Sequence, residues 1–207
     1  YITSVGSFTT AGGGEEKMRV SLTESSGNGR QVWSNLYNIS INDNARQYGS
    51  VVTDNGIQYA IAGYGDYNGT SLINVELFFN LIDHDGNVLS HKSYNISGNS
   101  HERVSDLIYH ENGYYLIGNN NLTDGSSKVY ILDLDKNGNL MEAFALTQDV
   151  GNFVRDVKII DEKLFLAGSK GTNQNQMFLI SLHLPLQVGE QCELLENIDA
   201  TSKERTL

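Results

Sequence analysis

Three residue types are nearly missing from this 207-residue chain: it has one cysteine, one proline and one tryptophan. The lone thiol, Cys192, excludes an internal disulfide framework and cannot by itself build a zinc site. With only Pro185 available, turns must rest on Gly, Asn and Asp, which tolerate positive φ. Basic side chains are also scarce. Lys and Arg number 14 against 25 Asp and Glu, a net charge of -11, which argues against nucleic acid and anionic membrane surfaces as partners. No apolar run approaches the roughly 18 residues of a membrane-spanning helix. There is no initiating Met and no signal peptide, so the expectation is a processed or excised chain. Nor does a 3.6-residue apolar pattern persist for three turns anywhere, which removes amphipathic helices as the basis of the fold.

What the chain does contain is a repeat. "YITSVG", "QYAIAG", "YYLIG" and "LFLAG" are apolar runs closed by Gly6, Gly63, Gly118 and Gly168, at spacings of 57, 55 and 50 residues. A second apolar run follows each: "MRVSL", "NVELFFNLI", "KVYILDL" and "QMFLISL". In the first three copies it ends at a turn, "SSGNG", "DHDGN" or "DKNGN", and a third run begins. The third runs share "YNIS" at Tyr37–Ser40 and Tyr94–Ser97. Fourth runs read "QYGSVVT", "VSDLIYH" and "VRDVKII".

Runs of five to eight β-branched and aromatic residues between Gly, Asn and Asp clusters are strands. The expected fold is therefore all-β, with about fourteen strands in a repeating group of four. Four antiparallel strands at a period above 50 is the pattern of a β-propeller blade. Continuous apolar runs such as "VYILDL" fit strands covered on both faces by neighbouring blades. About 3.5 to 4 blades are expected, with units near 1–57, 58–112, 113–162 and 163–184. Residues 185–207 form a degenerate last blade or a C-terminal tail.

The units resemble bacterial and secreted β-propeller repeats. A glycine-ended strand of the form G-Y-x-L-x-G, Gly113 to Gly118, precedes a strand with Leu-Asp closed by Gly-Asn, Val129 to Asn139. Gly29 to Trp33 matches the tryptophan position of those repeats. The resemblance covers most of residues 1–182 and implies a blade architecture. Trp33 stands alone, without the periodic tryptophans of quinone-holding propellers, so no cofactor is expected.

Several motifs invite a chemical reading. "DLDKNGNL", Asp133 to Leu140, could offer Asp133, Asp135 and Asn137 to calcium, but the twelfth position of an EF-hand loop falls on Phe144. The alternative, preferred here, is a hairpin tip, since Asn-Gly and Asp-Gly are strong hairpin signals. Sequons occur at Asn38, Asn68, Asn95 and Asn121, which would make this a glycoprotein in a suitable compartment. Histidines 84, 91, 101, 110 and 183 show no metalloprotease spacing, and no nucleophile elbow or phosphate loop is present. Asp106 and Asp156 recur 50 residues apart inside strands, and read as ties between blades. Tyr64 and Tyr67, in "GYGDYNGT", are the candidate ligand contacts, because they lie on the longest strand connection.

The expected function is a non-catalytic binding module of a secreted, cell-surface or periplasmic protein, recognising protein or glycan through its loops. A glycan-active hydrolase with carboxylates at the mouth of the ring is the enzymatic alternative. A structural subunit whose open blade is completed by another chain or copy is the third.

Overall fold

The runs bounded by Gly, Asn and Asp are β-strands, and no helix occurs among the described residues. The computed structural model describes residues 2–9, 16–23, 30–37, 47–66, 75–96, 100–122, 127–147, 153–170, 176–188 and 194–204. Strands β1 (Ile2–Thr9), β2 (Glu16–Thr23) and β3 (Gln31–Tyr37) form an antiparallel sheet. A ten-stranded sheet contains two antiparallel meanders. One comprises β4 (Gln47–Asp54), β5 (Tyr59–Asp66), β6 (Val75–Ile82) and β7 (Val88–Ile96). The other comprises β8 (Ser100–His110), β9 (Gly113–Leu122), β10 (Ser127–Asp135) and β11 (Leu140–Leu146). A single parallel pair, Val75 with His101, joins them. The third sheet is β12 (Phe153–Ile160), β13 (Lys163–Lys170) and β14 (Gln176–His183). Among the described residues no sheet closes on itself.

The hydrogen-bonded groups begin one strand earlier than the sequence units. β4, β8 and β12 pair antiparallel with the strands that follow them, not with the strand immediately before each. Turn chemistry is the cause. At residues 55–58, Gly56 has φ 84° and the Asn55 carboxamide oxygen accepts from the Ile57 and Gln58 amides. The tips at 111–112 and 161–162 are two residues long, whereas 38–46 separate β3 from β4. Short closed turns fix hairpins; long connections do not.

Two further strands, β15 (Leu195–Asn197) and β16 (Ala200–Glu204), lie in the C-terminal segment. They extend other groups rather than the last one: β15 pairs with β11 and β16 with β7. Buried Lys92 holds β16 through Glu204 at 2.7 Å, and Lys128 pairs with Glu196. Among the described strands, β14 is hydrogen-bonded only to β13, leaving an open edge.

The four groups, called here the first to fourth units (β1–β3, β4–β7, β8–β11, β12–β14), pack face to face. One core joins Met18, Val20 and Leu22 to Tyr59, Ile61, Phe78 and Ile82. The next joins Ala60, Ala62, Leu77 and Phe79 to Tyr114, Leu116, Tyr130 and Leu132. The last joins Tyr115, Ile117, Val129 and Ile131 to Leu164, Leu166, Ile180 and Leu182. Both faces of the middle units are thus buried, which is why β6 and β10 read as unbroken apolar runs.

The glycine period has a steric origin. Gly118 pairs with Tyr130 and Gly168 with Phe178, and a Cβ at either glycine would overlap that ring and the carbonyl of Arg103 or Phe153. At Gly6, on the outer unit, the same Cβ would meet open space.

Candidate functional site

The "DLDKNGNL" stretch spans the end of β10, a hairpin tip and the start of β11. Asp135 Oδ1 accepts from the Asn137 and Asn139 amides at 2.8 Å, and Oδ2 accepts from Asn139 Nδ2 at 2.7 Å. The Gly138 amide donates to the Asp135 carbonyl at 2.9 Å, with φ 77° at Gly138. Asp83 holds "DHDGN" identically, through the Asp85 and Asn87 amides and Asn87 Nδ2. Each carboxylate is thereby engaged with its own turn. Partial burial raises the Asp135 carboxyl, but the Asn139 contacts and Lys92 outweigh it and hold it below the usual range. Asp133, half-buried beside Glu142, is pushed up to about 6, chiefly by desolvation and then by that like charge.

These turns are also the joints between units. Tyr37, from the first "YNIS", donates its hydroxyl to the Gly86 carbonyl at 2.7 Å, alongside Asn35 Nδ2 at 3.1 Å. Trp33 Nε1 donates to the His84 carbonyl at 2.8 Å. One unit on, Tyr94 from the second "YNIS" donates to the Gly138 carbonyl at 2.6 Å, and Lys92 reaches Asn139 at 2.8 Å. The two sequence signatures are partners across the first two interfaces. Counted from the turn glycine, the third unit has Leu146 where Tyr37 and Tyr94 stand, and the fourth lacks a D-x-x-G-N turn to receive a hydroxyl.

The stack has two unlike ends. The short turns at 55–58, 83–87, 111–112, 135–139 and 161–162 lie at one. At the other lie the opposite strand ends, such as the ends of β5, β7 and β9 and the starts of β6, β8 and β10. Of the candidate ligand and glycan positions, the described ones, Tyr64, Asn95 and Asn121, lie towards this second end. Tyr64 lies near the end of β5, half-buried against the core between the second and third units. Asn95 is exposed near the end of β7, paired with Thr201 of β16. Asn121 pairs with His101 and Ser127 near the end of β9. Tyr67 and Asn68, just after β5, and Asn38, just after β3, fall outside the described residues, as does Cys192.

A polar recess of about 300 Å³ opens at this end between the third and fourth units, lined by Arg103, Ser105, Asn119, Phe153 and Arg155 among others. Asn119 builds its floor: Oδ1 accepts from the Val154 amide at 2.9 Å and Nδ2 donates to Ser105 Oγ at 2.8 Å. Ser105 Oγ in turn donates to the Val154 carbonyl at 3.2 Å. The Arg155 guanidinium sits 5.8 Å from the centroid of the Phe153 ring. These residues were not singled out by sequence, because Ser105 and Arg155 owe their placement to register shifts in β8 and β12.

The same shifts change the reading of Asp106 and Asp156. Each accepts from the amide of the next residue, Leu107 at 2.8 Å and Val157 at 3.1 Å. The hydrogen-bonded tie between units runs instead through Asn119 and Ser105. Asp106 is raised above the ordinary range by desolvation, with the Asp156 charge adding to it.

At the short-turn end, His110, Glu111 and Glu162 bring an imidazole and two carboxylates within 4.8 Å of one another. His110 Nε2 lies 3.9 Å from Glu111 and 3.7 Å from Glu162, beyond hydrogen-bond range. Both carboxylates are largely exposed, and the trio reads as a solvated pairing of two turns. Buried His91 pairs with Asn80 inside the second unit.

In comparison with known proteins, the chain matches no family model and no curated sequence.

Proposed function

We infer that the chain is a β-propeller-type binding module without catalytic activity, whose ligand, a glycan or a protein, is taken at the end of the stack that carries the Arg103–Arg155 recess. The carrying observation is the Arg103–Arg155 recess, which opens at the same end of the stack as the strand ends that hold Tyr64, Asn95 and Asn121. Recognition residues concentrate on connections held by a rigid scaffold. Within an acidic chain, two guanidinium groups beside a polar floor favour a ligand carrying hydroxyl and carboxylate groups. Four face-to-face units of repeating strand order support the propeller reading, and the sequons and acidity support a secreted, cell-surface or periplasmic setting.

The test is binding of neutral and uronic-acid oligosaccharides to the full chain by calorimetry. The paired substitution Arg103→Ala and Arg155→Ala should weaken binding at least tenfold, while Lys136→Ala at the opposite end leaves it unchanged. Equal loss from both would remove the recess end as the site.

The raised Asp106 carboxyl beside Asp156 favours a second reading, a glycan hydrolase with Asp106 as the proton donor. Hydrolysis of aryl glycosides that disappears in Asp106→Asn would establish it.

A further inference from the structure

The four units can be superposed in sequence on their paired residues. Gly6, Gly63, Gly118 and Gly168 pair with Arg19, Phe78, Tyr130 and Phe178. The residues on either side of each partner face the following unit. They are Met18 and Val20, Leu77 and Phe79, Val129 and Ile131, and Met177 and Leu179. The first six are all 0% exposed, buried by the next unit in the three cores described above. Met177 and Leu179 are 93% and 72% exposed. The fourth unit thus presents the same two apolar positions with nothing described over them. Ala167, paired with Leu179, and Phe165 continue this face where Ile117 and Tyr115 are covered in the third unit.

The opposite terminal face does not match it. Faces that receive a preceding unit carry Ile61 and Phe78, Leu116 with Tyr130 and Leu132, or Leu166 with Phe178 and Ile180. In the first unit the equivalent positions are Ser4, Arg19 and Ser21. Arg19 Nε donates to Ser34 Oγ at 2.9 Å, and Ser21 Oγ to Ser34 Oγ at 3.0 Å. Over β1 and β2 that face is polar and internally hydrogen-bonded, with apolar Leu36 exposed on the neighbouring β3, so packing its Ser4, Arg19 and Ser21 positions on Met177 and Leu179 would desolvate groups without compensation. The chain's own first unit, in the same or a second copy, is a poor cover for the fourth.

We propose that the outward face of the fourth unit is a docking surface for a further antiparallel β-sheet of this repeat type. Its contact face would carry an aromatic residue at the Phe178-equivalent position and aliphatic residues at those of Leu166 and Ile180. The ground is continuity: three successive interfaces use one register, and the fourth face repeats it. The inference concerns the stack and is independent of what the recess end binds.

The full chain itself supplies the probe. Ser4→Leu, Arg19→Phe and Ser21→Leu together convert the first unit's face into the receiving kind, and sedimentation velocity then reads association. The wild type should sediment as a monomer, while the triple variant associates head to tail and at least doubles its mean mass. Adding Met177→Lys and Leu179→Lys should restore the monomer. Should the triple variant lose the wild-type circular dichroism, Arg19→Phe alone is measured and a smaller mass increase is expected. A folded variant that stays monomeric, or association that survives the two lysines, overturns the proposal. A wild-type dimer broken by the same lysines also overturns it, because a second copy then covers the face.

Discussion

The third and fourth units carry the same pattern in different surroundings. β9 and β10 match β13 and β14 residue for residue in pairing, from Gly118 with Tyr130 to Gly168 with Phe178. Both hairpins have one face in the core they share. Their other faces differ: that of the third packs against the second unit through Leu116, Tyr130 and Leu132, and the fourth's outward pair meets no described neighbour. The strand is a local property, set by β-branched and aromatic residues. Burial is decided by the neighbouring sheet.

Truncation should separate the two units most strongly. Ile131→Ala is expected to cost about 2–5 kcal/mol, the range for cavities in a packed core. Leu179→Ala at the equivalent position should stay within roughly 0.5 kcal/mol, as for exposed side chains. Urea unfolding followed by circular dichroism measures both. Comparable losses would mean that Leu179 is covered in solution.

The joints between units make the next comparison. Tyr94→Phe leaves the Gly138 carbonyl without its buried donor and should cost about 1–3 kcal/mol. Tyr37→Phe should cost less than about 1 kcal/mol, because Asn35 still donates to Gly86 and the site is half-exposed. The reverse order would show that the first joint is the firmer one.

A pH series sharpens the contrast between Asp133 and Asp135, which stand two residues apart. Asp133 binds its proton more tightly folded than unfolded, so it lowers stability as pH rises from about 4, its unfolded value, to about 6. Asp133→Asn should therefore raise Tm at neutral pH, and the gain should vanish below about pH 4. Asp135 is held below its ordinary value, so its contribution is present above about pH 4 and is lost as pH falls through its folded value. Asp135→Asn should lower Tm at neutral pH, with a deficit that shrinks on acidification. Calcium should shift neither profile if both oxygens of Asp135 remain committed to the turn. A rise of several degrees that Asp135→Asn abolishes would restore the metal reading.

The smallest effect compares two short turns. Gly56 takes φ 84° without a Cβ, whereas Asp161 and Glu162 adopt φ 49° and 56° as ordinary residues. Glu162→Gly should gain roughly 0.5–1 kcal/mol by relieving that conformation. Gly56→Ala should lose a comparable amount, and thermal unfolding reads both.

The glycine-ended runs, the D-x-x-G-N tips and the tyrosines of the paired "YNIS" segments were all legible in the sequence, and all have counterparts in the structure. Their relation was not. Nothing local says that Tyr94 reaches Gly138, 44 residues on, because the contact exists only when the second and third units stack. Which strands group together depends likewise on turn closure: the two-residue tips at 111–112 and 161–162 and the Asn55 turn join each fourth run to the run that follows. The Arg103–Ser105–Asn119–Arg155 recess had no sequence signature at all, since irregular register in two strands creates it.

Composition and patterning by themselves determined an acidic all-β chain of repeated hairpins, because side-chain alternation and turn chemistry act over a few residues. Tertiary structure decided which strands share a sheet, which apolar faces are covered, and where the C-terminal strands attach. Those outcomes depend on pairing between distant segments, and an open strand edge or an apolar face carries no address for its partner. Lys92 shows the division. On its own it is one basic residue in an outer strand; in the fold it is buried, and it ties the third unit's hairpin and the terminal strand to the second unit.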